Sequence, residues 1–213
     1  MQIACVLFEG LTALDIVGPY EVLRGLPGAD VRFVATAPGE YRTDNGRLAL
    51  VADQALADVP APDIVVVPGG RGEAGVRDDP TAIAWLQQAH TTSTWTTSVC
   101  TGSLVLGKAG ILAGKRATSH WTALEVLRDF GAEPTLERVV FDGKVVTAAG
   151  VSAGIDMALR LVAEIAGDEI AQQIQLTIEY DPQPPFAAGS PARAPAAMVA
   201  FQRERSRFRQ PAT

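Results

Sequence analysis

Two textures of apolar and polar positions alternate along this chain. Near-continuous apolar runs, QIACVLF (2–8), VRFVATA (31–37) and PDIVVVPGG (62–70), have the pattern of strands buried on both faces of a parallel sheet. Between them, GLTALDIVGPYEVLRGL sets Leu11, Leu14, Val17, Val22 and Leu23 at helical spacing. Pro19 lacks an N–H and its ring clashes with the preceding turn, which predicts a kink or restart near Gly18–Pro19, just after Asp15. DDPTAIAWLQQAH (78–90) predicts a helix starting at Pro80, with Ile83, Trp85, Leu86 and Ala89 inward.

The later segments continue this alternation. Asn45–Gly46 marks a turn into a short strand, and residues 93–99 form a strand that ends at Cys100. KRATSH is read as a short strand ending at His120, and WTALEVLRDFG as an amphipathic helix closed by Gly131. LERVVFDGKVVTAAG predicts a hairpin turning at Asp142–Gly143. SAGIDMALRLVAEIAG is a helix with a Ser152 cap, ending at Gly167, and DEIAQQIQLTIEY is a last helix. The proline-rich DPQPPFAAGSPARAP fits neither helix nor central strand, so residues from about 181 to 213 are read as an extended arm on one domain spanning 1–213. The alternation predicts an α/β three-layer sandwich with a mostly parallel central sheet, whose active site lies at the carboxyl ends of the strands.

Composition narrows the partners. A formal net charge of −6 disfavours nucleic acid, and no segment approaches the ~20 unbroken apolar residues that span a bilayer, so no membrane role is expected. The start of the chain shows no basic region followed by a cleavage site, which, with two cysteines too few for a disulfide framework, predicts a cytoplasmic protein. The basic run RERSRFR (203–209) is read as a solvated helix face or frayed tail. Cys5, inside the first strand, reads as core. Cys5, His90, Cys100 and His120 lack paired ligand spacing, and GGRGEAG (69–75) lacks the context of a dinucleotide fingerprint, so neither metal nor cofactor is expected.

Cys100 is the centre of the candidate chemistry. A β-branched run ends there and a helix of small residues follows, giving a strand, a sharp turn and a helix. A nucleophile at that turn meets free backbone N–H groups that favour a thiolate, which predicts a pKa below the ordinary ~8.5. Gly102 and Ser103 keep the approach open; the alternative is a buried, inert cysteine. His90, at a helix end, reads as surface, whereas His120 is either pocket lining or a hydrogen-bonded structural residue. Asp15, in an apolar segment, either caps backbone N–H groups or is held as a neutral acid beside something reactive.

FEGLTALDIVGPYEVL, IVVVPGG, SVCTGSLVLGKAGILAGKRATSHW and AAGVSAGIDMAL together resemble the DJ-1/PfpI superfamily of class I glutamine-amidotransferase-like proteins, and within it the isonitrile hydratases. The resemblance covers most of the chain and implies a flavodoxin-like fold and a homodimer. It makes Cys100 the nucleophile, Asp15 its acidic partner and Thr101 a supporting residue. Gly70 is matched to a backbone N–H facing a developing anion, Gly150 begins a helix packed beside the site, and His120 joins them as a candidate substrate-binding residue. The implied activity is hydration of a small isonitrile to an N-substituted formamide through a cysteine thioimidate. The alternatives are aldehyde chemistry of the glyoxalase or deglycase kind, or a cysteine redox sensor without turnover. Thr101 stands where related proteases carry histidine, and His120 is followed by Trp121 and Thr122 rather than the His-x-Glu of an amidotransferase triad.

Overall fold

The computed structural model describes residues 1–208. The chain runs β1 (Gln2–Val6), α1 (Ala13–Leu23), β2 (Asp30–Ala35), a hairpin of β3 (Gly39–Arg42) and β4 (Ala49–Ala52), β5 (Gln54–Ala55) and β6 (Ile64–Val67). There follow α2 (Glu73–Asp78), α3 (Pro80–Thr92), β7 (Trp95–Val99), α4 (Gly102–Lys108), β8 (Arg116–Ala117), β9 (Glu133–Pro134), the hairpin β10 (Val139–Asp142) and β11 (Val145–Ala148), then α5 (Ala153–Ala166), α6 (Asp168–Thr177) and α7 (Ala196–Arg205).

One seven-stranded sheet has the order β10-β11-β7-β6-β1-β2-β5, parallel except for the β10–β11 edge. Every residue of β6 is fully buried, as its unbroken β-branched sequence predicts for a strand covered on both faces. One group of helices joins α1, α5 and α6; another joins α2, α3 and α4. The direction of strand addition reverses between β1 and β6, and open α/β sheets bind ligands in the crevice outside such a switch point. The loops after β1, β6 and β7 all open there.

Several local expectations are corrected. Pro19 does not restart its helix: α1 runs through it without interruption. Its ring is accommodated by α5, where a Cβ on Gly154 would lie 3.0 Å from the Pro19 ring. The strand expected to reach His120 stops at Ala117, pairing with β9 in a separate small sheet. Leu124–Phe130 is a 3₁₀ helix rather than an α-helix, packed with the Phe130 ring where a Cβ on Gly107 would go; Gly131 closes it at φ 73°. Ser152 does not cap α5; its hydroxyl accepts from Arg138 Nη2 at 3.2 Å. The arm is irregular over 181–195 but then forms α7, so it is not extended throughout. Of the basic run 203–209, Arg209 lies outside the described residues.

Candidate active site

β7 delivers Cys100 into a left-handed backbone conformation, φ 57°, before α4 begins at Gly102. Such a geometry costs a non-glycine residue about 1–3 kcal/mol, so the surroundings must hold it. The Cys100 amide donates to the carbonyls of Ala148 (3.1 Å) and Ala149 (2.9 Å). Its carbonyl accepts the hydroxyls of Ser103 (3.1 Å) and Ser119 (3.0 Å). Gly102 is needed at the turn because a Cβ there would sit 2.2 Å from the Val67 carbonyl oxygen. The predicted elbow is therefore present and anchored from four sides.

Asp15 reaches the same point from the first turn of α1 and is fully buried. Its Oδ2 accepts the Gly69 N–H at 2.9 Å. Oδ1 has no oxygen or nitrogen partner, and the side chain that engages the carboxyl is the Cys100 thiol. Burial pushes the Asp15 pKa from 3.8 up to about 7, against the pull of the Gly69 N–H and the thiol. Both readings of Asp15 have a counterpart: Oδ2 caps a backbone N–H in the loop after β6, and the carboxyl also engages the thiol.

The thiol departs from its sequence expectation. Burial, reinforced by the charge of Asp15, pushes Cys100 up to about 12 rather than below its ordinary value. The backbone N–H groups of Thr101 and Val151 pull the other way. The two groups titrate as a pair: one proton leaves near neutrality, and the second is held strongly between sulphur and carboxyl.

The remaining candidates separate. The Gly70 N–H donates to Thr101 Oγ1 at 3.1 Å, so it braces Thr101 instead of facing an anion. The N–H groups directed at the sulphur are those of Thr101 and Val151. Val151 escaped sequence reasoning because a backbone donor leaves no residue signature. Gly150 lies against His120, where a Cβ would be 3.0 Å from the ring. His120 lines the pocket together with Cys100, and Nδ1 accepts the Thr122 N–H at 3.3 Å. That bond assigns the proton to Nε2, and burial lowers the pKa, leaving a neutral donor. His90 is half-buried rather than on the surface, with Nδ1 2.8 Å from Thr96 Oγ1, and takes no part in the pocket. Cys5 is core, with burial pushing its pKa up to about 12.

The basic C-terminal run is neither a free helix face nor a frayed tail. Gln202, Arg205, Ser206, Arg207 and Phe208 form one side of a cavity of about 630 Å³ over Cys100. Arg207 hooks this strap to the loop after β6, donating to the carbonyls of Arg71 (2.6 Å) and Gly70 (2.7 Å) and pairing with fully buried Glu73 at 3.0 Å. Glu73 also holds Arg77 at 2.6 Å. Among the described residues no His/Cys/Asp/Glu cluster is placed to hold a metal, and no helix is long and apolar enough to cross a membrane.

Comparisons with known proteins agree with this geometry. An isonitrile hydratase of Pseudomonas putida is 42% identical over 206 residues, covering 97% of this chain and 90% of that protein. The HTH-type transcriptional regulator CdhR of Pseudomonas aeruginosa is 31% identical over 138 residues, 64% of this chain and 40% of the regulator. The crystal structure of a ThiJ/PfpI family protein from Pseudomonas syringae superposes with a TM-score of 0.93 at 40% identity, covering 95% of this chain and 84% of that one. The sequence profile of the DJ-1/PfpI family matches residues 1–164, and with the elbow at Cys100 and a sheet of the family's kind, the chain belongs to the DJ-1/PfpI family.

Proposed function

We propose that this protein is a single-domain isonitrile hydratase that converts R–N≡C and water to R–NH–CHO. The observation that carries the reading is the buried Asp15–Cys100 pair, which holds one mobile proton beside a nucleophile at the floor of an accessible cavity. Near-full-length similarity to an isonitrile hydratase supports it.

The residues account for each proton. Cys100 Sγ attacks the terminal isonitrile carbon while its proton passes to Asp15 and from there to that carbon, giving the thioimidate R–N=CH–S–Cys. Water then adds to the carbon; Asp15 takes a proton from it and passes it to the nitrogen. The adduct R–NH–CH(OH)–S–Cys loses its hydroxyl proton to Asp15, the C–S bond breaks, and the sulphur regains the proton from Asp15. Acid–base assistance of this kind contributes typically ~10²–10⁴ in rate. The N–H groups of Thr101 and Val151 stabilise negative charge on sulphur at both the attacking and the leaving stage. His120 Nε2–H is available as a donor to the substrate on the open side. The same reading carries a homodimer and a cytoplasmic location, as the resemblance and the free cysteines suggest.

The test follows loss of an alkyl isonitrile and appearance of its formamide with wild type, Cys100→Ala and Asp15→Asn. Formamide from wild type alone is the expected result. No formamide from wild type across alkyl and aryl isonitriles overturns the reading.

A further inference from the structure

The cavity over Cys100 is not walled by hydrocarbon side chains alone. Among the described lining residues only Val151 and Phe208 present wholly apolar side chains besides Cys100 itself. Three arginines, Arg71, Arg205 and Arg207, rim the cavity against one carboxylate, Asp44, which already accepts the Thr12 hydroxyl at 2.9 Å. In a chain of net charge −6 that local excess of positive charge runs against the composition.

The arginines are not equivalent. Arg207 is committed to Glu73 and to the carbonyls of Gly70 and Arg71. Arg77 takes the rest of the buried Glu73 carboxylate, so Glu73 neutralises nothing further at the rim. Among the described residues, Arg71 has no ion pair, and Arg205 stacks over the Phe201 ring at 5.2 Å without a carboxylate partner. Two arginines without an ion pair among the described residues, one from the loop after β6 and one from the strap, therefore line a cavity whose 630 Å³ far exceeds an isonitrile group. Planar guanidinium donors match a carboxylate, which accepts two N–H bonds side by side.

We propose that the substrate is an isonitrile whose R group ends in a carboxylate, bound at the rim by Arg71 and Arg205 while the isonitrile carbon lies at Cys100. The assignment rests on the hydratase reading and adds its substrate class. The strap is then a specificity element as well as a roof, since it supplies Arg205.

The test is the ratio of kcat/KM for 4-isocyanobutanoate to that for its methyl ester, which differ only in the charge. Wild type favours the carboxylate by about tenfold or more at low ionic strength, and the ratio narrows in 0.3 M salt as the charges are screened. In the double variant Arg71→Gln, Arg205→Gln the ratio falls towards one, and Arg71→Lys with Arg205→Lys restores part of it. Both side chains are exposed and unpaired, so folding of these variants is not at stake. A wild-type ratio of one or below, or a preference that survives in the glutamine variant, overturns the proposal while formamide from the ester leaves the hydratase reading standing. No formamide from either compound removes both.

Discussion

Replacing Asp15 by asparagine should stabilise the protein at alkaline pH while abolishing turnover. The folded state holds the Asp15 proton up to about pH 7, whereas an unfolded chain releases it near 3.8. Its folded pKa is thus raised, so between those two values the folded state binds more protons and stability falls as pH rises. With 1.36 kcal/mol for each tenfold change in the proton equilibrium, the fall attributable to Asp15 between pH 5 and pH 8 is about 2.5 kcal/mol. Cys100 and Cys5, both pushed up to about 12, stay protonated across that window and do not obscure it. Asparagine keeps an oxygen for the Gly69 N–H but cannot ionise. Urea unfolding of wild type and Asp15→Asn at pH 5 and pH 8 isolates the contribution, because every other titrating group cancels in the difference. The stability advantage of the variant should grow by about 2.5 kcal/mol between the two pH values. A difference that does not change with pH would refute the raised Asp15 pKa, and formamide production by the variant would refute its role as the proton carrier.

The pH dependence of wild-type turnover should report the same pair: kcat/KM falls about tenfold for each pH step below 7, as the pair gains its second proton. Thr101→Val removes the acceptor of the buried Gly70 N–H and should cost about 1–3 kcal/mol in urea unfolding, with Thr101→Ser recovering most of it. Gly102→Ala forces a Cβ to 2.2 Å from the Val67 carbonyl oxygen, so the elbow must move, and turnover should fall at least ~10²-fold while circular dichroism still shows the fold. Arg207→Gln releases the strap from Glu73 and the Gly70 and Arg71 carbonyls; limited proteolysis should then cut between 181 and 208 faster than in wild type, and an unchanged cutting rate would show that other contacts hold it.

The parts of this molecule that sequence made legible are those whose physics is local. Strands buried on both faces must be apolar throughout, so β1, β6 and the parallel sheet announce themselves. The change from β-branched residues to small helix formers at Cys100 marks the elbow, whereas Asp15 inside LTALDIVGP fits a backbone cap or a neutral acid alike, and only the family resemblance points it at the cysteine. What stayed hidden depends on distant segments. Pro19 was read as a break because the complementary gap at Gly154 lies more than a hundred residues away. The cradle for the sulphur is backbone, so Val151 and the redirected Gly70 N–H carried no sign in residue type. Burial, joined by the charge of Asp15, outweighed the favourable helix start that the sequence showed, so the Cys100 pKa rises instead of falling. The arginine run looked solvated because its acidic anchor, Glu73, stands in a loop-proximal helix with no pattern linking the two.

The hook between Arg207 and the loop after β6 also sets an order of events during synthesis. All seven strands of the sheet, Asp15, Cys100 and the Val151 amide leave the ribosome before the strap does, so the sheet and the reactive pair can assemble first. The chamber above them is roofed only when residues 202–208 emerge, more than fifty residues after Val151. During elongation the nucleophile stands in an open cleft, and selectivity arrives after reactivity.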